Sequence, residues 1–255
     1  VGDKKNVVIG AGVFVAVLGV GLLLNRTKPA PKHVEDAPAL SAPVTEAAPS
    51  KPSGPPLPKL EESDPYVRGK ADELSADPRF KAALKTEELI PRFVSVLGLI
   101  AAGKVPTEAL SFLAPKGKFA VKKQSGKIVI NPRTYARFDA PADIIASVNA
   151  RTAATLFGTF KPLLQQAYGA QGADVSDLLA RALAEVVSTP VVSGDIVLVP
   201  SEKGITYVFA DEALEALTPA QKVLLRMGPQ NEAKVQAKAK ELAAALGFSD
   251  ARLKK

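Results

Sequence analysis

One stretch limits what this chain can become more than any other. Residues 7–24, VVIGAGVFVAVLGVGLLL, carry no charge and no strongly polar side chain. In hydrocarbon only a helix satisfies its own backbone groups, so a run of eighteen such residues is expected to form one membrane-spanning helix. Lys4 and Lys5 stand before it, and Asn25, Arg26 and Lys28 follow. Two other readings compete. The opening VVIGAG imitates a dinucleotide-binding turn, but Val15 occupies the position of the third glycine, and a Pro-rich tract replaces the helix and second strand. A cleaved leader also fits the charged start and apolar middle, yet no small-x-small cleavage site follows Leu24. Gly12, Ala16 and Gly19 share one face of the helix at spacings that let a second helix approach closely.

Residues 25–56 carry prolines at 29, 31, 38, 43, 49, 52, 55 and 56 among Ala, Ser, Thr and Lys. Such a segment cannot bury a core and is expected to stay extended, reaching at most about 100 Å. The chain therefore divides into an N-terminal tail and anchor (1–24), a Pro-rich disordered linker (25–56) and a globular domain (57–255). Basic residues flank the anchor almost evenly. Because short N-terminal tails usually stay inside, the globular domain is expected on the outer side of the cytoplasmic membrane.

Composition removes several chemistries from the domain. There is no Cys, hence no disulfide and no thiolate. The single His, His33, lies among the prolines, so a His-dependent triad or His-centred metal site is not expected. Without Trp, and with 5% aromatic residues, a base-stacking surface is not expected, and nucleic acid is not an expected partner. The run GLIAAGK at 98–104 approaches a phosphate-binding loop. However, Val105 stands where Ser or Thr must hold magnesium, and the preceding segment reads as helix. Gly103 is instead expected to end that helix in the left-handed conformation. No catalytic residue, metal ligand or cofactor is assigned.

Hydrophobic periodicity gives the order of elements. Residues 57–83 read as a strap and two short helices, with Asp64 and Asp77 each capping before a proline. Thr86 is expected to cap a helix running to about Ala102, with Leu89, Phe93, Val96, Leu97 and Ile100 inward. Segments 118–123 and 127–131 predict a hairpin around Gln124-Ser125-Gly126, with Phe119, Val121, Ile128 and Ile130 on one face. Helices are expected over 150–170, interrupted or kinked at Pro162, and over 174–188. A second hairpin is expected from 195–200 and 205–209. Thr218-Pro219-Ala220-Gln221 is a capping box opening a helix to about Arg226, and Pro229 opens the last helix, to about Leu246. The expected fold is α+β, mainly α, with one or two antiparallel hairpins.

Charge is uneven. Between 116 and 138 there are seven basic residues and no acid: Lys116, Lys118, Lys122, Lys123, Lys127, Arg133 and Arg137. This segment could attract an anionic polymer or lipid headgroups, or it could protect a sheet edge with lysines.

Leu57-Pro58, Ser63-Asp64-Pro65, Arg92-Phe93, Gly103-Lys104-Val105-Pro106, Pro162-Leu-Leu-Gln-Gln-Ala-Tyr168, Phe209-Ala210-Asp211 and, most specifically, Leu224-Leu225-Arg226-Met227-Gly228-Pro229 with Asn231 form a set of runs. Together they resemble a family of proteobacterial single-pass membrane-anchored envelope proteins classed only as a domain of unknown function. The resemblance implies an anchored envelope protein and carries no site residue. The functional expectation is a non-enzymatic tether or assembly subunit whose globular domain binds another envelope or membrane protein. The alternative is a module that binds anionic polymer or lipid through 116–137.

Overall fold

The computed structural model describes residues 57–169, 172–202, 204 and 206–253. The apolar run with Gly12, Ala16 and Gly19, and the Pro-rich tract, lie outside them. No helix among the described residues is long and apolar enough to cross a membrane.

The domain is mainly helical with a small antiparallel sheet. Helices α1 (Asp64–Ala71), α2 (Pro78–Ala83) and α3 (Leu89–Ala101) come first. Strands β1 (Val121–Gln124) and β2 (Lys127–Ile130) follow, then α4 (Asp139–Ala146), α5 (Ala150–Tyr168) and α6 (Val175–Val187). Strands β3 (Val197–Pro200) and β4 (Tyr207–Phe209) precede α7 (Glu212–Glu215), α8 (Pro219–Met227) and α9 (Pro229–Ala245).

Local chemistry accounts for most boundaries. Asp77 caps α2 through the Arg79 N–H at 2.8 Å, Asp174 caps α6, and Thr218 with Gln221 closes the capping box of α8. Gly103 ends α3 with φ 68°, as expected. Three expectations need correcting. Asp64 does not cap α1, whose cap position is Ser63. Its carboxylate reaches across to accept from the Glu88 and Leu89 N–H groups, at 2.6 and 2.8 Å, and so caps α3 from another helix. Thr86 is accordingly not the cap of α3, which starts at Leu89 after Glu88 in the left-handed conformation. Pro162 does not interrupt α5, which continues through it to Tyr168. The segment from Asn131 to Asn149, left without elements by the sequence, forms a 3-10 turn (Pro132–Phe138) and α4. Both are too short for helical periodicity to stand out.

The two hairpins form one four-stranded sheet in the order β1-β2-β3-β4. The first closes on Ser125 and Gly126, both at positive φ (49° and 76°), the signature of the tight turn that matches strand twist. It is shorter than expected, since pairing begins at Val121 opposite Ile130. The hairpins meet through Ile128 opposite Leu198 and Val129 opposite Val197. The outer edge of β4 is blocked where the Phe209 N–H donates to Glu215 at 2.9 Å.

Two cores result. The larger packs α1, α3, α5, α6 and α9 around side chains such as Phe80, Leu97, Ile100, Leu183 and Leu224. The smaller lies under the sheet and holds Ile130, Ile196, Leu198, Phe209 and Leu225. The adjacent residues Leu224 and Leu225 serve one core each, so α8 is the wall between them.

Candidate binding groove and the family-specific joints

Three of the runs that carry the family resemblance, those with Gly103, Gln165 and Gly228, form joints in the fold. Met227 is fully buried in the large core, and the Arg226 guanidinium lies 4.7 Å from the centre of the Phe209 ring. Gly228 turns the chain from α8 into α9 at φ 82°. A Cβ there would stand 2.4 Å from Cγ of Tyr135, so glycine is required twice over. The Asn231 amide donates to the Tyr135 carbonyl (3.1 Å), to Asp139 (2.9 Å) and to the Met227 carbonyl (3.2 Å), which binds α9 to the Pro132–Phe138 turn. Gln165 clamps the α5–α6 connection by donating to the Ala173 carbonyl and accepting from the Val175 N–H.

Gly103 plays a similar part. It packs against Thr218, whose side chain would lie 2.7 Å from an added Cβ, and its carbonyl accepts from the Ala220 N–H at 3.0 Å. The Thr218 hydroxyl donates to the carboxylate of Glu185, which is wholly buried in α6. Around it the Gln221 amide donates to the Ser188 hydroxyl at 3.2 Å, and the Gln236 amide donates to the Val186 and Thr189 carbonyls at 3.2 and 2.7 Å. This is a polar seam between α6, α8 and α9 in which groups serve one another. Glu232, one turn before Gln236 and 1% exposed, stands apart: burial pushes its carboxyl up to about 7, and its Oε1 has no hydrogen-bond partner among the described residues. Among these residues no group of three or more His, Asp or Glu could hold a metal ion.

Concave surface is found elsewhere. An apolar cavity of about 40 Å³ lies between α1, α3 and α5, lined by Val67, Phe93 and Phe160 among others. It has room for little more than water, and apolar walls of this kind stay dry. An open groove of about 750 Å³ runs between α2, the 111–116 loop, the Pro132–Phe138 turn and α4. That volume falls in the range of ligand sites. Ala82, Ala83, Ala114, Ala136, Ala140, Pro141 and Ile144 give it a floor and walls of mostly short side chains, with Thr86 and Ser111 adding hydroxyls. Phe112, 37% exposed, stands on one wall. The charged residues lining it are Arg79, Lys116 and Arg137, and no carboxylate lines it.

These three cations differ. Arg79 is engaged by Asp77 through two bonds of 3.0 and 2.5 Å. Lys116 is exposed and makes no ion pair among the described residues. Arg137 is half-buried, its guanidinium 5.7 Å from the centre of the Phe119 ring and 5.2 Å from that of Phe138. It donates to the Thr134 carbonyl (3.2 Å) and the Gly117 carbonyl (3.3 Å). Burial lowers its pKa from the ordinary guanidinium value, with no carboxylate acting against that shift.

Of the seven basic residues singled out in the sequence, the groove thus gathers Lys116 and Arg137. Lys122 lies 3.8 Å from Asp195, which also accepts from Gln124. Lys118, Lys123, Lys127 and Arg133 are exposed. Sequence reasoning missed Arg79, Phe112 and the alanine floor, because those residues come from four separate segments and carry no motif.

The family described as "Protein of unknown function (DUF3014)" matches residues 89–243, from the start of α3 to near the end of α9. The chain belongs to this family. No curated protein matches it, and no solved structure does. The family match spans α8, Gly228 and Asn231, so the run from Leu224 to Pro229 falls inside it as an architectural joint.

Proposed function

We propose that the protein is a non-enzymatic binding subunit of the bacterial envelope. Residues 7–24 hold it in the inner membrane as a single pass, 25–56 act as a tether, and the domain engages another protein on the periplasmic side. The observation that supports a binding role is the groove: open, of ligand-site volume, and lined by cations and short apolar side chains without a carboxylate to work as acid or base. The expected absence of His and Cys chemistry leads to the same reading. Two measurements test it. After cell breakage and alkaline washing the intact chain should remain with membranes. Purified in mild detergent from native membranes, it should elute with a partner; elution alone at every expression level would count against the reading.

A second reading has its own support. Lys118, Lys123, Lys127 and Arg133 are exposed on or beside the first hairpin and form no ion pair among the described residues. They would favour an anionic polymer or headgroup in a salt-dependent way. Replacing Lys122, Lys123 and Lys127 with Gln should then abolish retention on phosphatidylglycerol vesicles. Unchanged retention eliminates this alternative.

A further inference from the structure

We infer that the groove seats a short acidic segment of the partner protein, with a carboxylate held by Arg137 and Lys116 and apolar side chains laid against Phe112 and the alanine floor. This rests on the binding-subunit reading and gives its partner a chemistry.

A guanidinium drawn partly out of water, as the half-buried Arg137 is, is favoured by a carboxylate beside it, because removing its charge from water is costly. Here the ring faces of Phe119 and Phe138 and two backbone carbonyls hold it in place, and no acid compensates it. Those carbonyls take two of its five N–H groups. The rest remain for a planar acceptor, and the cost of fixing the side chain is already met by the fold. Lys116 lines the same groove without an ion pair among the described residues, whereas Arg79 is committed to Asp77.

Two uncompensated cations suit one or two carboxylates. A polyanion would call for a track of cations along its length, and the groove itself is lined by three, one of them committed to Asp77. An acyl chain favours an enclosed apolar slot, whereas this groove is open and carries the Thr86 and Ser111 hydroxyls on its walls. The floor of alanines, proline and one isoleucine lets a peptide backbone come close, and Phe112 offers an exposed aromatic anchor of the kind that dominates interface energetics.

Photo-cross-linking on the full chain in native membranes tests this, with Phe112→p-benzoylphenylalanine as the reporter and Val199→p-benzoylphenylalanine on the sheet as the control site. The expected adduct at position 112 is a peptide of another protein containing Asp or Glu, lost when Lys116→Glu is added. Val199 is 42% exposed and lies outside the groove. Protein adducts from position 199 alone overturn the groove while leaving a binding subunit intact; none from either position overturns both. A lipid adduct, a segment without acidic residues, or this chain's own residues 25–56 at position 112 overturns the inference. In solution, a labelled eight-residue peptide of alternating Glu and Leu should bind the detergent-solubilised chain about tenfold more tightly than its Gln-Leu counterpart. Lys116→Glu, at an exposed position that should leave the fold unchanged, should erase that difference. Equal binding of the two peptides by the parent protein overturns the proposal.

Discussion

Two polar regions of this domain behave in opposite ways. In the seam between α6, α8 and α9, Thr218 serves Glu185, Gln221 serves Ser188, and Gln236 serves two carbonyls at the end of α6. In the groove, Lys116 and Arg137 meet no acid among the described residues. The seam is rich in residues typical of active sites, yet its geometry is that of a closed structural lock. The groove has plainer residues, but it leaves charge and concavity turned outward. Polar groups that satisfy one another specify a fold; polar groups held rigid and left unsatisfied are available to a ligand.

The contrast is broken most severely at the joint beside the seam. Gly228→Ala forces a Cβ into the Tyr135 ring at positive φ and should cost about 3 kcal/mol or more, read as a large fall in the thermal midpoint. An unchanged midpoint would mean that the α8–α9 corner can relax.

Glu232 makes the stability of this joint depend on pH. Its carboxyl sits at about 7 in the fold against an ordinary 4.5, so the folded state holds the proton more tightly than the unfolded chain. Its contribution is full below about 4.5, is lost as pH rises toward about 7, and is level above that; the whole loss is about 3 kcal/mol. Glu232→Gln should flatten stability between pH 5 and 8, measured by urea denaturation at each pH. A parent protein that is equally stable across that window would contradict the assignment.

Asn231→Ala removes the amide that links α9 to the Tyr135 carbonyl in the Pro132–Phe138 turn, to Asp139 at the start of α4 and to the Met227 carbonyl, and should cost about 2 kcal/mol by the same denaturation. Arg137→Ala loses two ring contacts and two carbonyl bonds at a half-buried site and should cost about 1 kcal/mol. The smallest effect is expected at Lys116→Gln, within about 0.5 kcal/mol of the parent, because the side chain is exposed and unpaired among the described residues. A clear loss there would mean that the groove cations help hold the fold.

Within the domain, features that depend on neighbours along the chain were legible from the residues alone. Helices α5, α6, α8 and α9, the capping box at Thr218, the left-handed stop at Gly103 and the tight turn at Ser125-Gly126 follow from periodicity, caps and backbone freedom. Features that depend on distant partners emerged only from the packed fold. The sequence could not foresee that Asp64 caps α3 across 24 residues, that two hairpins separated by three helices share a sheet, or that Arg79, Phe112, Lys116 and Arg137 border one groove. The physical reason is range. A helix cap or turn is fixed within about four residues by local sterics and hydrogen bonds, whereas a groove exists only once separate segments have packed and left a space between them.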